Sequence, residues 1–378
     1  MRRQISQTLP RRLALLFFSV MLLLGGFLLY KGISYVPVLY QLLFQKEIEL
    51  KKTEDQKINM VLLGIGGGKH DGPLLTDTVI FVSIDPVDKK VTLVTIPRDL
   101  WVPELRQKIN FAYASGEAKK DGGGLMLTKA VVEKIMGQKV DYGFRVDFNG
   151  FIRAVDMIGG LDIEVERAFD DYEYPLSGKE ADTCGFEEEE FEKRATAEAQ
   201  LEAFPCRYEH LRFEKGVQHM DGATALKFVR SRHATGSEGT DFARSKRQEK
   251  VITAFQGKII SVGTFLNPLK LVSLYDVFQD SIDTDIQKDE YDDFVKLAQK
   301  MQSASMKNYV IDYGDDVQGR PGLLINPPIT EEFNLQWVLI PRDGSGDYAE
   351  IQAYVKCLQE TAGEECTVTP TKSPLVSQ

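Results

Sequence analysis

An α/β core carried outside the membrane on one apolar amino-terminal segment is the architecture that the sequence predicts. Strand-like apolar runs lie close together near the start of the core: INMVLLGI at 58–65, TDTVIFVSID at 76–85 and KKVTLVTIP at 89–97, with turn-forming DPVDKK between the last two. Amphipathic runs with helical spacing then alternate with further strand-like runs, the order expected of an α/β chain. The third observation is at the amino terminus, where residues 13–30 (LALLFFSVMLLLGGFLLY) carry no charge and follow Arg2, Arg3, Arg11 and Arg12. That is the length of a minimal membrane span. Arginines on its amino side predict that residues 1–12 are cytoplasmic and that the chain after Lys31 is extracytoplasmic. A cleaved signal peptide would share the apolar run, but no small-x-small cleavage site follows.

The elements follow in order. Residues 31–57 form a juxtamembrane stalk whose second half is polar and charged. A folded domain is expected over 58–310. Within it TKAVVEKIM (128–136) and FNGFIRAVDMI (148–158) have helical spacing, Gly159 and Gly160 stop the second of these, and LDIEVE (161–166) resumes strand character. Residues 170–206 are acidic, contain Glu187 to Glu190, and read as an insert: a solvated, disulfide-tied loop. DGATALKFVRSRH from Asp221 predicts a helix, and a second is expected over 241–260. Residues 269–301 show helical periodicity, NYVIDY (308–313) and LQWVLIP (335–341) are β-like, and a helix is expected near 348–358. Residues 311–360 are a carboxy-terminal extension, and 361–378, rich in Thr, Pro and Ser, a flexible tail.

Composition sets limits on function. At 378 residues, 43% hydrophobic and 27% charged, the chain has ordinary globular make-up. A net charge of −10 argues against a general nucleic-acid binder, which needs a basic face. Any anionic ligand must meet a local cluster of cations. Cys184, Cys206, Cys357 and Cys366 all lie on the exported side, where pairing is favoured. Nearest-neighbour bridges would close short loops, but four cysteines allow three connectivities and the sequence leaves all three open.

The basic residues supply the chemistry. Arg230 and Arg232 flank Ser231, and Arg244, Arg247 and Gln248 follow in the next predicted helix. A guanidinium pairs two phosphate oxygens at once and stays charged, so such a cluster in an acidic protein points to a phosphate or pyrophosphate site. Arg244 and Arg247 are three apart and are expected on one helical face. On spacing alone the same residues would also suit a salt-bridged surface with Asp241 and Glu249. Arg98, in IPRD, leaves an apolar strand at its carboxyl end, where open α/β sheets bind ligands; a plain turn with an Arg98–Asp99 pair is equally compatible with those four residues. Asp77 follows a glycine-rich loop, GIGGGKHDGPLL, whose backbone amides could approach an anion. A carboxylate there makes sense if magnesium bridges it to phosphate oxygens. The loop lacks the Gly-Lys-Ser/Thr ending of a nucleotide-binding loop.

These motifs occur in a definite order: VLLG, TDT with Asp77, IPRD with Arg98, KIN with Asn110 followed by Ala112 and Tyr113, DMIGG, GVQHMDGATALKFVRSRH with Arg230 and Arg232, and D-x-x-R-x-x-R-Q from Asp241 to Gln248. Over roughly residues 58–260 the chain thereby resembles the LytR-CpsA-Psr family of cell-envelope phosphotransferases. The resemblance implies a three-layer α-β-α fold around a central mixed sheet, with a polyprenyl chain in an apolar tunnel and its pyrophosphate at an arginine-lined mouth. It implies transfer of a phosphorylated glycopolymer from a polyprenyl pyrophosphate carrier to peptidoglycan, by an enzyme anchored in the bilayer by its single helix. Carried over by position, Arg98, Arg230, Arg232 and Gln248 would hold the pyrophosphate, Asn110 and Asp241 would belong to the same site, and Arg244 and Arg247 would support the clamp or orient Asp241. Asp77, Arg98, Arg230 and Arg232 would be the catalytic set, with Asp77 acting through Mg2+. One position departs: where the family commonly has an aspartate two residues after the LLG glycine, this chain has Gly66, and Asp71 is the substitute carboxylate to consider. A pyrophosphatase acting on the same carrier, and a non-catalytic sensor of lipid-linked glycan, are the alternatives.

Overall fold

The computed structural model describes residues 48–53, 55–68, 72–176, 178–179, 181–196, 200–261, 281–315, 320–361 and 366. The predicted membrane segment 13–30, most of the stalk and the tail lie outside these residues, as does Asp71. Among the described residues no helix is long and apolar enough to cross a membrane. The chain divides into two compact units, 1–50 with 287–299 and 51–286 with 300–378. In the first, helix Tyr291–Lys300 carries Lys296 between the buried carboxylates of Asp292 and Asp293, at 2.9 and 3.0 Å.

The second unit begins with β1 (Ile58–Ile65), β2 (Thr76–Asp85), β3 (Lys90–Ile96), α1 (Ala112–Lys119), α2 (Gly123–Met136), β4 (Tyr142–Asp147) and α3 (Phe148–Met157). It continues through β5 (Leu161–Val165), β6 (Phe169–Pro175), α4 (Glu188–Ala195), β7 (Tyr208–Phe213), β8 (Gly216–Met220) and α5 (Gly222–Arg230). Then come α6 (Asp241–Ser261), β9 (Ile282–Thr284), β10 (Ser305–Val310) and α7 (Ala349–Thr361).

A mixed six-stranded sheet in the order β9-β4-β1-β2-β3-β10 is its centre. β1 pairs with β4, and β3 with β10, in parallel, whereas β2 runs antiparallel to both β1 and β3. β1, β3, β4 and β10 therefore point the same way and bring their carboxyl ends to one edge. The two-residue period of a strand sends alternate side chains to opposite faces. On one face Val61, Leu63, Val79, Phe81, Val94 and Ile96 are buried against Val132 and Ile135 of α2 and Ile351 and Val355 of α7. On the other face Met60 and Leu62 of β1 and Phe144 and Val146 of β4 are only half-buried. α6 reaches this second face, where Gln248 Nε2 lies 3.4 Å from Thr78 Oγ1.

A second core joins α3, α5 and α6 to the two hairpin-like pairs β5/β8 and β6/β7, with Phe169, Phe213 and Phe228 in mutual ring contact at 5.1 to 6.0 Å. α5 starts where Asp221 caps it by accepting from Thr224 N at 2.8 Å, and stops at Arg230.

The acidic stretch differs from its expected form. Its first residues are strand β6, paired with β7, and Asp171 is fully buried; only the part beyond Pro175 is a loop bearing α4. FDDYEYP alternates aromatic and acidic residues, and strand pairing together with hydrogen bonds to Asp171 outweighs the charge that made it look solvated. Cys184 pairs with Cys206 and Cys357 with Cys366, the nearest-neighbour connectivity. LQWVLIP is reduced to a two-residue strand, Ile340–Pro341, beside Leu324–Ile325. In the span 269–301 the described residues hold the helix from Tyr291; 269–280 lie outside them.

α1 and α2 approach through glycines. A Cβ on Gly116 would stand 2.3 Å from the carbonyl oxygen of Gly123, and one on Gly124 2.7 Å from the Tyr113 ring. Gly116→Ala is therefore expected to destabilise the protein by about 1–3 kcal/mol through overpacking, read as a lower thermal unfolding midpoint; an unchanged midpoint would show that the two helices separate freely.

Candidate active site

The carboxyl edge of the sheet gathers the charged motifs. Arg98 stands two residues beyond β3, and its Nη1 donates to Asp77 Oδ1 on neighbouring β2 at 2.6 Å. Arg98 Nε is 3.6 Å from Asp99 Oδ2, whose carboxylate is held by Lys108 Nζ at 2.8 Å. Pairing with Asp99 thus exists, as a turn would allow, but the stronger contact runs to Asp77. Arg98 Nε is buried and has no hydrogen-bond partner among the described residues. The carbonyl of Arg98 accepts from Asn110 N at 3.2 Å, and Asn110 Oδ1 is likewise buried and unbonded.

A pocket of about 30 Å3 is lined by Asp77, Thr78, Arg98, Arg244, Gln248 and the segment Val310, Asp312 and Tyr313. Four stretches of sequence meet there. Gln248 points its Nε2 at Thr78, and its Oε1 is a third buried atom with no partner. Arg244 and Gln248 are four apart, on one stripe of α6. Arg247, about 100° around α6 from Gln248, is turned instead toward the end of α5 and the loop that follows it. It is the only one of the site arginines that is fully buried, at 3% exposure.

Arg247 holds backbone. Nε donates to Phe228 O at 3.0 Å, Nη2 to Ser231 O at 2.7 Å, and Nη1 to Glu238 O and Oε2 at 2.8 and 3.1 Å. Burial pulls its pKa below the usual guanidinium value, while Glu238 opposes the shift. Asp171 acts from the other side, accepting from Ser231 Oγ at 2.6 Å, Arg232 N at 3.2 Å and His233 N at 3.3 Å. Together the two buried charges shape the segment that carries Arg230 and Arg232.

Arg230 lies over the Phe148 ring, 4.1 Å from its centroid, and donates to Tyr174 Oη at 3.3 Å. Burial raises the Tyr174 pKa, with Arg230 acting against it. Phe148 follows the last residue of β4, so Arg230 is brought to the same sheet edge as Arg98. The glycine-rich loop passes alongside: Gly67 has φ +63°, and a Cβ there would be 2.9 Å from Asp147 Cβ, so a side chain is excluded twice over. Asp147 itself caps α3 by accepting from Gly150 N at 2.7 Å.

Arg232 is exposed, and Asp241 opens α6. The side chain of Asp241 and the whole of Asp71 fall outside what is described. Sequence reasoning missed Asp171, Phe148, Tyr174 and the Asp312–Tyr313 wall. For the first and third, the aromatic-acidic alternation of FDDYEYP was a usable signal of a strand. For Asp312 and Tyr313 no local signal existed.

A family profile described as LytR_cpsA_psr matches residues 41–323. Among curated relatives, the Polyisoprenyl-teichoic acid--peptidoglycan teichoic acid transferase TagU of Oceanobacillus iheyensis is 29% identical over 251 residues, 65% of this chain and 64% of the relative. TagV of Bacillus subtilis, which is named for the same activity, is 26% identical over 295 residues, 73% of this chain and 64% of the relative. The match thus spans slightly less than two thirds of either relative, at 64%. A solved protein of Streptococcus agalactiae superposes with a TM-score of 0.54 at 17% identity, covering 84% of this chain and 89% of its own, a likeness of fold. With a match that takes in the sheet, the charged pocket and both buried clamps, this chain belongs to the LytR_cpsA_psr family.

Proposed function

We propose that this protein transfers a phosphorylated glycopolymer from a polyprenyl pyrophosphate carrier to peptidoglycan, on the outer side of the cytoplasmic membrane. The observation that carries the reading is the convergence of Asp77, Arg98, Arg244 and Gln248 on one pocket at the carboxyl edge of the sheet. Arg98 Nε is a buried donor there without a partner, and such an atom costs stability unless a ligand completes it. A diphosphate supplies both acceptor oxygens and charge. In this reading Arg98, Arg230, Arg232, Arg244 and Gln248 face the diphosphate, Asn110 and Asp241 support the site, and Arg247 positions the Arg230–Arg232 segment. The half-buried Met60, Leu62, Phe144 and Val146 suit the isoprenoid tail. The curated relatives, named as teichoic acid transferases, support a phosphate-rich glycan as cargo and peptidoglycan as acceptor.

The topology belongs to the same proposal: residues 1–12 cytoplasmic, 13–30 a signal-anchor, 31–57 a stalk, 58–310 a three-layer catalytic domain, and 311–360 an extension before the tail at 361–378.

The reaction is attack by a sugar hydroxyl of the acceptor on the phosphorus bonded to the glycan. The bond from that phosphorus to the bridging oxygen breaks, polyprenyl phosphate leaves, and the hydroxyl proton passes to a base or to water. Such transfers depend on in-line placement and charge neutralisation more than on a covalent nucleophile. The donor set fits magnesium: Arg98 engages Oδ1 of Asp77, which leaves Oδ2 for a hard cation, and Mg2+ takes one or two carboxylates with substrate oxygens. Asp77 would hold it with the donor's phosphates, Asp71 being the second candidate. Bound there, the ion would neutralise charge on the diphosphate. Among the described residues the one cluster with metal-ligating spacing, Asp182 with Cys184 and Cys206, is elsewhere and its sulfurs are in a disulfide.

Arg98→Ala is expected to cut transfer by about a hundredfold, or ~3 kcal/mol of barrier, scored as glycan newly joined to peptidoglycan. Free phosphoglycan from the unaltered protein would mean hydrolysis, and donor binding without turnover a sensor. Chelation should lower the rate and added Mg2+ restore it; a rate indifferent to chelator removes the ion from the proposal. Arg247→Met leaves Glu238 and two buried carbonyls without their donor and should cost about 3 kcal/mol of stability, whereas exposed Arg232→Ala should stay within ~0.5 kcal/mol yet weaken donor binding. Equal melting midpoints for the two variants would contradict the division between positioning and ligand contact.

A further inference from the structure

A larger cleft adjoins the clamp. It encloses about 760 Å3 along β10, the end strand of the sheet, with residues of α6 on one side and Tyr354 of α7 on the other. Val310, Asp312 and Tyr313 line both this cleft and the small pocket, so a chain lying in the cleft has one end at the clamp. Its volume is that of sites which enclose a ligand of several rings.

The lining selects by chemistry. Tyr309, Tyr313 and Tyr354 contribute aromatic surface, and Tyr313 is more than half exposed, at 55%. The charged side chains of the wall come close to balance, with Arg167, Lys246, Arg247 and Lys250 set against Glu166, Glu238 and Asp312, and two of them are paired directly, Lys250 with Glu166 at 2.8 Å and Arg247 with Glu238 at 3.1 Å. A phosphate-rich polymer calls for an excess of cations, as at the clamp. A neutral chain rich in hydroxyl and amide groups calls for aromatic faces and fixed polar partners.

We propose that this cleft holds the glycan strand of the acceptor, an uncharged chain of N-acetylated sugars, and presents one of its hydroxyls to the diphosphate. The proposal rests on the transferase reading and gives the acceptor its place in it. The polyanionic cargo stays outside the cleft.

The test uses the full chain in detergent, a polyprenyl-pyrophosphate-linked glycan as donor, and soluble glycan strands whose lactyl carboxyls are kept as amides, and so uncharged, as acceptor. Tyr354→Ala and Lys246→Ala, the second at an exposed position, should each raise the acceptor KM about fivefold, the worth of one aromatic or polar contact, with the donor KM unchanged. Tyr354→Phe, which keeps the ring, should recover most of the affinity. Titration of the glycan strands into protein without donor reads the cleft independently of turnover and should show the same weakening. Unaltered acceptor affinity in both alanine variants, or a rise confined to the donor KM, overturns the assignment. If the unaltered protein transfers nothing, the transferase reading fails while the titration still decides whether the cleft binds glycan.

Discussion

The buried guanidinium of Arg247 is the contact on which the arrangement of the other arginines depends. Four hydrogen bonds run from it to the backbone and side chain of the segment between Phe228 and Glu238. A buried cation left unpaired is costly, so its partners must come to it, and they are carbonyls at the end of α5 and in the loop that follows. Asp171 pins the same loop with opposite charge through Ser231, Arg232 and His233. Between these two anchors the chain leaves the helix at a defined residue, and Arg230 reaches Phe148 rather than solvent.

The sheet supplies the second half of the geometry. Four strands in one direction put Ile65, Ile96, Asp147 and Val310 at one edge, and every charged motif follows one of those strands or crosses above them. Arg98 and Asp77 are 21 residues apart and become neighbours because β2 and β3 are an antiparallel pair. Gln248 arrives from α6 and completes the pocket from above Thr78. The clamp is thus assembled from a sheet edge and a helix flank, the sheet packed in one apolar cluster and the helix in another.

The two faces of that sheet are treated differently. One is closed by α2 and α7 with fully buried Val, Leu, Ile and Phe. On the other, Ile80, Val82 and Leu93 are buried while Met60 and Leu62 of β1 and Phe144 and Val146 of β4 stay half-buried. An apolar floor next to a cluster of guanidinium groups is what the proposed amphiphilic donor would need, since a diphosphate and an apolar tail demand opposite surroundings.

Much of this was legible from residue order. Periodicity located β1 to β3, β5 and the helices α3, α5 and α6 to within a few residues, since a strand or an amphipathic helix records in its own spacing which side is to be buried. The arginine clusters pointed to an anionic ligand by residue type. What spacing did not determine was the division of labour among the arginines: Arg244 and Arg247 look equivalent at three residues apart, yet one lines the pocket with Gln248 and the other is buried beneath the loop. That choice depends on the rotation of α6 against α5 and the sheet, a property of packing between elements far apart in the chain. The same holds for Asp171, whose burial depends on β6 finding β7, and for Asp312, which joins the pocket only because β10 lies beside β3. Local pattern located many of the elements and their buried sides; the tertiary structure decided which charges line the pocket and which hold the backbone, because only packing determines where a desolvated group finds its partner.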